Sequence, residues 1–161
     1  MPEMKLDVID KKILDILQEN GRLSNNELAR RIGLTATPTL ERVRRLERDG
    51  IIKGYRTIVD EEKIGKGLTV FVSISLAMHK LQAVEEFCDE VDKMPEVLAC
   101  YHTTGEADFL LKVVVSDTAD YEYVMWQKLT RLPGVQHIHS MVVLSTRKDE
   151  TKIPIDMGDE S

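Results

Sequence analysis

The chain has 161 residues, 42% of them apolar and 31% charged, proportions of a folded globular protein rather than a disordered one. That length holds one ordinary domain or two small ones. The formal net charge of −6 argues on its face against nucleic acid, and no apolar run approaches the roughly 20 residues needed to cross a bilayer, so no membrane partner is expected.

The average conceals an asymmetry. Residues 1–56 carry 12 Lys/Arg against 9 Asp/Glu, a net of +3, whereas the remainder carries 10 against 19, a net of −9. Within 30–56 alone there are 8 basic and 3 acidic side chains. A basic end and an acidic end point to two domains with different partners. The opening "MPEMKLDVIDKK" lacks the basic-then-apolar order of a signal peptide. Cys88 and Cys100 form no C-x-x-C pair and read as reduced core thiols of a cytoplasmic protein.

In chain order, the first predicted helix starts at Asp7, an N-cap with Asp10 three residues later, and stops at Asn20-Gly21. Ile9, Ile13, Ile16 and Leu17 lie on one face of it. The second starts at Ser24, which has capping-box spacing to Glu27, and ends at Gly33, with Leu28 and Ile32 buried. The third takes Thr35 as N-cap, places Pro38 in its first turn, turns Ala36, Leu40, Val43 and Leu46 inward, and stops at Asp49-Gly50. Three helices with a tight Gly-Leu turn between the last two form a helix-turn-helix, and "GIIKGYRTIVD" after them reads as a short hairpin or strand, a small wing.

Beyond "EEKIGKG" the periodicity changes. "LTVFVSISLAM" alternates as a strand, "KLQAVEEFCDEVDKM" is helical, and "EVLACYHTT" and "ADFLLKVVVS" are strands joined by a turn at "TTGE". "TADYEYVMWQKLTRL" is helical and "VQHIHSMVVLSTR" is a last long strand. The order β-α-β-β-α-β predicts an α+β, ferredoxin-like sandwich with both helices on one face of the sheet. Strands at 68–78 and 136–146 should then leave a Val/Ile/Leu/Met second face open, to be buried against a symmetry mate. The boundaries expected are 6–66 for the helix-turn-helix unit with the segment that follows it, 67–148 for the sandwich, and 149–161 for a loose polar tail.

The outward arc of the third helix holds the candidate nucleic-acid contacts. Thr37, Thr39 and Arg42 are candidates for base edges, with Thr35 and Pro38 at the same end. Arg44, Arg45 and Arg48, with Arg30, Arg31 and Arg56 nearby, are candidates for phosphate. A solvated helix face is the plain alternative, since Glu41 and Arg45 form a well-oriented i,i+4 pair. His137 and His139 share a strand face, but no acid or thiol ligand stands at matching spacing, so no metal is assigned. "GKG" at 65–67 is too short for a phosphate loop, and no nucleophile with a nearby base stands out, so no enzyme is expected.

Across about residues 6–148 the sequence resembles the Lrp/AsnC family of transcription regulators, nearest its leucine-responsive branch. The resemblance is carried by "LDVIDKKILDILQENGRLSNNELARRIGL", "TPTLERVRRLERDGIIKGY", "TTGEADFLLKVVV" and "LPGVQHIHSMVVL". It implies a winged helix-turn-helix joined by a hinge strand to a ligand-sensing domain, double-stranded DNA as partner, and dimers that assemble further, often to octamers. It also implies a free amino acid as effector, and no cofactor, bound between dimers near the turn after the second strand. That turn is Thr104, Gly105, Glu106 and Asp108, with Pro133, Val135, Ser140 and Val142 lining the side-chain end. Family members usually show Gly-Asp-x-Asp, where this chain has Gly105-Glu106-Ala107-Asp108 with no aromatic between the acids. An ammonium needs an acceptor such as Asp108, and a Gly-bearing turn can offer amides to a carboxylate. Gly105 and Asp108 can equally be the ordinary residues of a hairpin turn. Two other readings remain open: an architectural DNA-binding protein without an effector, and a haem-pathway enzyme of similar fold.

Overall fold

Three helices precede residue 50, each begun and ended by its caps: α1 (Val8–Glu19), α2 (Asn25–Ile32) and α3 (Ala36–Arg48). In this computed structural model, residues 6–77 and 81–157 are described, apart from the side chains of Leu81 and Gln82. Asp7 and Asp10 form the full capping box on α1, each side chain bonded to the other's N–H. Only half of the second box forms. Ser24 Oγ accepts from Glu27 N–H, but the Glu27 carboxylate turns to Arg30 and Arg31 instead of back to Ser24. Gly33 (φ 74°) closes α2 in the left-handed region that L side chains avoid. Thr35 stands at the N-cap of α3 without a side-chain capping bond.

Ile13, Leu28 and Leu46, one from each helix, are the fully buried apolar side chains of this small core, ringed by Ile9, Ile16, Leu17, Val43 and others. The predicted hairpin after α3 does not form: no strand is assigned between 49 and 67. Residues 51–55 instead fold back on the helices. The Tyr55 ring lies 3.0 Å from where a Cβ on Gly21 would stand, and Tyr55 OH donates to Glu47. That bond, added to burial, raises the phenol's pKa to about 12.

The chain divides into two compact units: residues up to Ile58 together with those from Lys148 onward, and Val59–Arg147. The expectation of a loose tail does not hold for 150–153. Gln18 donates to Ile153 C=O (3.0 Å) and accepts from Ile153 N–H (2.7 Å), while Lys152 Nζ lies 2.8 Å from Asp15 and 2.6 Å from Glu19.

The second unit runs β1 (Leu68–Leu76), α4 (Leu81–Val91), β2 (Val97–His102), β3 (Phe109–Val115), α5 (Thr118–Gln127), a 3-10 turn at Leu129–Arg131, and β4 (Val135–Val142). The strand end expected at Met78 and the helix start at Lys80 lie outside the described residues. All pairings are antiparallel in the order β2-β3-β1-β4, the ferredoxin-like arrangement. Val70, Val72, Ile74 and Leu76 on β1 and the odd-numbered residues Phe109–Val115 on β3 face both helices. There they meet Phe87, Val91, Tyr121 and Val124. Phe87 and Phe109 pack with ring centroids 4.6 Å apart.

The second face differs from the aliphatic surface expected. Register places Phe71 between Met141 and Lys112, Ser73 between His139 and Leu110, Ser75 opposite His137 and Thr69 opposite Val114, so that face mixes apolar side chains with hydroxyls, imidazoles and a lysine instead of being purely aliphatic. The Val/Ile/Leu alternation belongs to the helix side, because a period of two allows only one of the two faces to be core. Cys88 is half-buried, but Cys100, on the edge strand β2, is exposed rather than a core residue.

Candidate nucleic-acid interface and ligand turn

At about 100° per residue, counted from the buried Leu46, Thr39 falls within about 20° of the inward direction and Leu40 about 120° away. The structure follows this arithmetic. Thr39 is fully buried and Leu40 is 37% exposed. Thr39 Oγ1 donates to Thr35 C=O at 2.8 Å, satisfying itself within the helix. Thr39 is therefore corrected from base contact to core residue, and Leu40 from core to surface.

The arginines separate in the same way. Arg44 and Arg48 project away from Leu46 and are exposed; Arg48 has a loose contact to Asp49, at 3.7 Å. Thr35 and Thr37 are exposed and Pro38 half-buried at the same end. Arg42 lies at the inward edge. Its Nη1 is 2.6 Å from Asp7 and 2.8 Å from Asp10, and Arg45 Nη2 is 2.5 Å from the other Asp10 oxygen. The two carboxylates raise the pKa of the Arg42 guanidinium further above its ordinary value, Asp7 foremost. Burial would raise the pKa of Asp7, but the Asp10 N–H and Arg42 outweigh it and hold the acid below its ordinary value. Arg42 is thus corrected from a free base-reading side chain to a member of an ion-pair network.

Asp10 is the residue that sequence reasoning missed as a partner. Its signal was present, since it precedes Ile13 and Leu17 at i+3 and i+7, in the inward stripe of α1. A carboxylate there requires a cation. Arg30 and Arg31 flank the ridge from α2, both on Glu27, and their hydrogen bonds pull its pKa down to about 2. Arg56 is exposed beyond α3.

In the second unit the Thr104–Asp108 turn folds over the end of β1. Thr103 N–H donates to Asp108 C=O, Asp108 N–H to Ile74 C=O, and Ser75 Oγ to Glu106 C=O. Asp108 Oδ2 accepts from Leu76 N–H at 2.8 Å, where the β1–β4 register shifts. Gly105 has φ 133°, a conformation an L side chain resists. Leu76 pairs with Val135, and Ala77 N–H donates to Gly134 C=O, so Val135 and the Pro133-Gly134 corner reach the same end of the sheet.

Ser140 and Val142 do not. They stand opposite Val72 and Val70, and at about 3.3 Å per strand residue Ser140 is some five residues, about 16 Å, up the strand from Val135. Ser140 is occupied by a 2.5 Å hydrogen bond with Tyr121 OH on the helix side. Within one chain, then, the expected effector residues form one cluster of six, and these two lie apart from it.

Two family models together cover most of the chain: winged helix-turn-helix DNA-binding over residues 6–53 and Lrp/AsnC ligand binding domain over 69–153. The chain belongs to the Lrp/AsnC family. Among its relatives, the leucine-responsive regulatory protein of Escherichia coli K12 is 41% identical over 154 residues, 96% of this chain and 94% of that protein. Among solved structures, a Neisseria meningitidis transcriptional regulator in complex with L-Met superposes with a TM-score of 0.89 at 39% identity, covering 93% of this chain and 97% of that one. An AsnC family regulator from Agrobacterium tumefaciens gives a TM-score of 0.88 at 34% identity, covering 92% and 97%. This Lrp/AsnC chain is accordingly a transcription regulator with a helix-turn-helix DNA-binding unit and a ligand-binding unit. Among the described residues no helix is long and apolar enough to cross a membrane.

Proposed function

We propose that the protein is a cytoplasmic, non-catalytic regulator that reads double-stranded DNA with α3 and changes assembly when a free amino acid binds. The observation that carries the DNA-binding half is the exposed outward line of Thr37, Arg44 and Arg48 on a helix whose opposite side packs against α1 and α2. Thr35, Thr37 and Pro38 lie at the amino-terminal end of α3, the end that approaches base edges. Arg44 and Arg48, flanked by Arg30 and Arg31, supply cations to phosphate, with Arg45 held beside them by Asp10.

For the effector, Thr104, Gly105, Glu106 and Asp108 with Pro133 and Val135 form the site, Asp108 taking the ammonium. The cluster sits at an open end of the sheet, which supports a site completed by another dimer. The face bearing Phe71, Tyr101 and Met141, which neither helix of this unit covers, supports dimers of this chain, with octamers above them. A ligand shared between dimers shifts assembly because it binds one state better than the other.

The test is thermal melting against each free amino acid, beginning with methionine because the Neisseria neighbour was solved with it. A specific ligand at 100 times its Kd stabilises by about 2.7 kcal/mol. Asp108→Asn keeps an oxygen for Leu76 N–H but removes the charge, and is expected to abolish that shift. A shift of parental size in Asp108→Asn places the ammonium elsewhere. Indifference of the parent protein to all twenty amino acids favours the architectural reading.

A further inference from the structure

The Asp10 side chain is 2% exposed, yet it belongs to the exposed start of a surface helix. Its two oxygens are divided between two arginines of α3, and Asp7 adds a second bond to the first of them. The knot contains two acids and two cations and is neutral, so it subtracts two charges from the field that α3 offers to phosphate. Along the helix, side-chain exposure runs 26% for Arg42, 44% for Arg45 and 72% for Arg48, a gradient from held to free. A buried carboxylate bonded this way resists losing its partner, because the charge left behind would be uncompensated.

We propose that Asp10 is a positioning residue for DNA binding: it withholds Arg42 from the duplex and aims Arg45, leaving Thr37, Arg44 and Arg48 as the line that meets it. The capping box of α1 thereby serves twice, starting one helix and setting the rotational phase of another. Without the Asp10 bond, Arg42 is held only by the half-exposed Asp7 carboxylate, a surface pair it can exchange for phosphate beside the base-reading end of α3. It would engage any phosphate backbone, and discrimination would fall while non-specific affinity rose. The inference rests on the reading of α3 as the groove-facing helix.

The experiment uses the full-length chain and two duplexes, one selected from a random pool by the parent protein and one shuffled from it, with affinities measured across salt. Arg44→Gln is expected to flatten the slope of log affinity against log salt by about one unit, and Arg42→Gln to leave it at the parental value. Asp10→Asn is expected to steepen the slope on the shuffled duplex by about one unit and to lower the selected-to-shuffled affinity ratio about tenfold. Adding Arg42→Gln to Asp10→Asn returns the slope to the parental value, which a purely structural loss would not do. If Asp10→Asn does not fold, Arg42→Gln decides alone. Flattening in both Arg44→Gln and Arg42→Gln overturns the lock and keeps the reading of α3. Parental slope and ratio in a folded Asp10→Asn also overturn the lock. No flattening in Arg44→Gln overturns the reading of α3 and the proposal with it.

Discussion

Thr39 shows how one residue can be misread. A threonine near the start of a basic helix resembles a base contact, and the neighbouring Leu40 resembles core. Helical phase reverses both, because Thr39 is two turns from Leu46 while Leu40 is at the margin of the apolar arc. Thr39→Val keeps shape and removes only the bond to Thr35 C=O. It should cost about 0.5–1.5 kcal/mol in urea denaturation and leave affinity for the selected duplex unchanged. A tenfold loss of affinity would return Thr39 to the interface. Asp10 belongs to the same lesson: hydropathy alone assigns it to solvent, whereas phase places it beside Ile13 and demands the cations it receives.

At the scale of elements, most of the architecture was legible. Asp7, Ser24 and Gly33 mark helix ends by local chemistry that needs no tertiary partner, and the alternation in 68–76 and 109–115 marks strands directly. Two features were not legible, because both depend on pairing. The segment after α3 has strand composition but no strand neighbour among the described residues, and it packs through Tyr55 instead. The alternation of β1 and β4 separates their two faces, but only register sets Leu110, Lys112 and Val114 of β3 beside Ser73, Phe71 and Thr69 on the second one. In the ligand turn, Asp108 and Val135 converge only through the β1 register, while Ser140 and Val142, carried by family resemblance, lie elsewhere along β4. The three-helix core is small, with Ile13, Leu28 and Leu46 at its centre. Ile13→Ala should cost about 2–5 kcal/mol and lower the melting transition of the helical unit. A separate, unmoved transition for Val59–Arg147 in calorimetry checks that the two units have independent cores.

For the whole molecule, the helical unit contains both early and late parts of the chain, since residues from Lys148 onward group with it. Gln18 clasps the Ile153 backbone with donor and acceptor together, which fixes register as well as position. Gln18→Ala should release that clasp, worth about 1 kcal/mol, and speed amide exchange in α1 about fivefold. Unchanged protection would mean the clasp adds nothing to the stability of α1. Topologically, Val59–Arg147 is an insertion. Peptide bonds leave it at both borders for the same helical body, one following α3 and the other meeting α1 through Lys152. The inserted segment is therefore tied to the helical body by two chain crossings instead of one, and cutting either by proteolysis would leave the other intact.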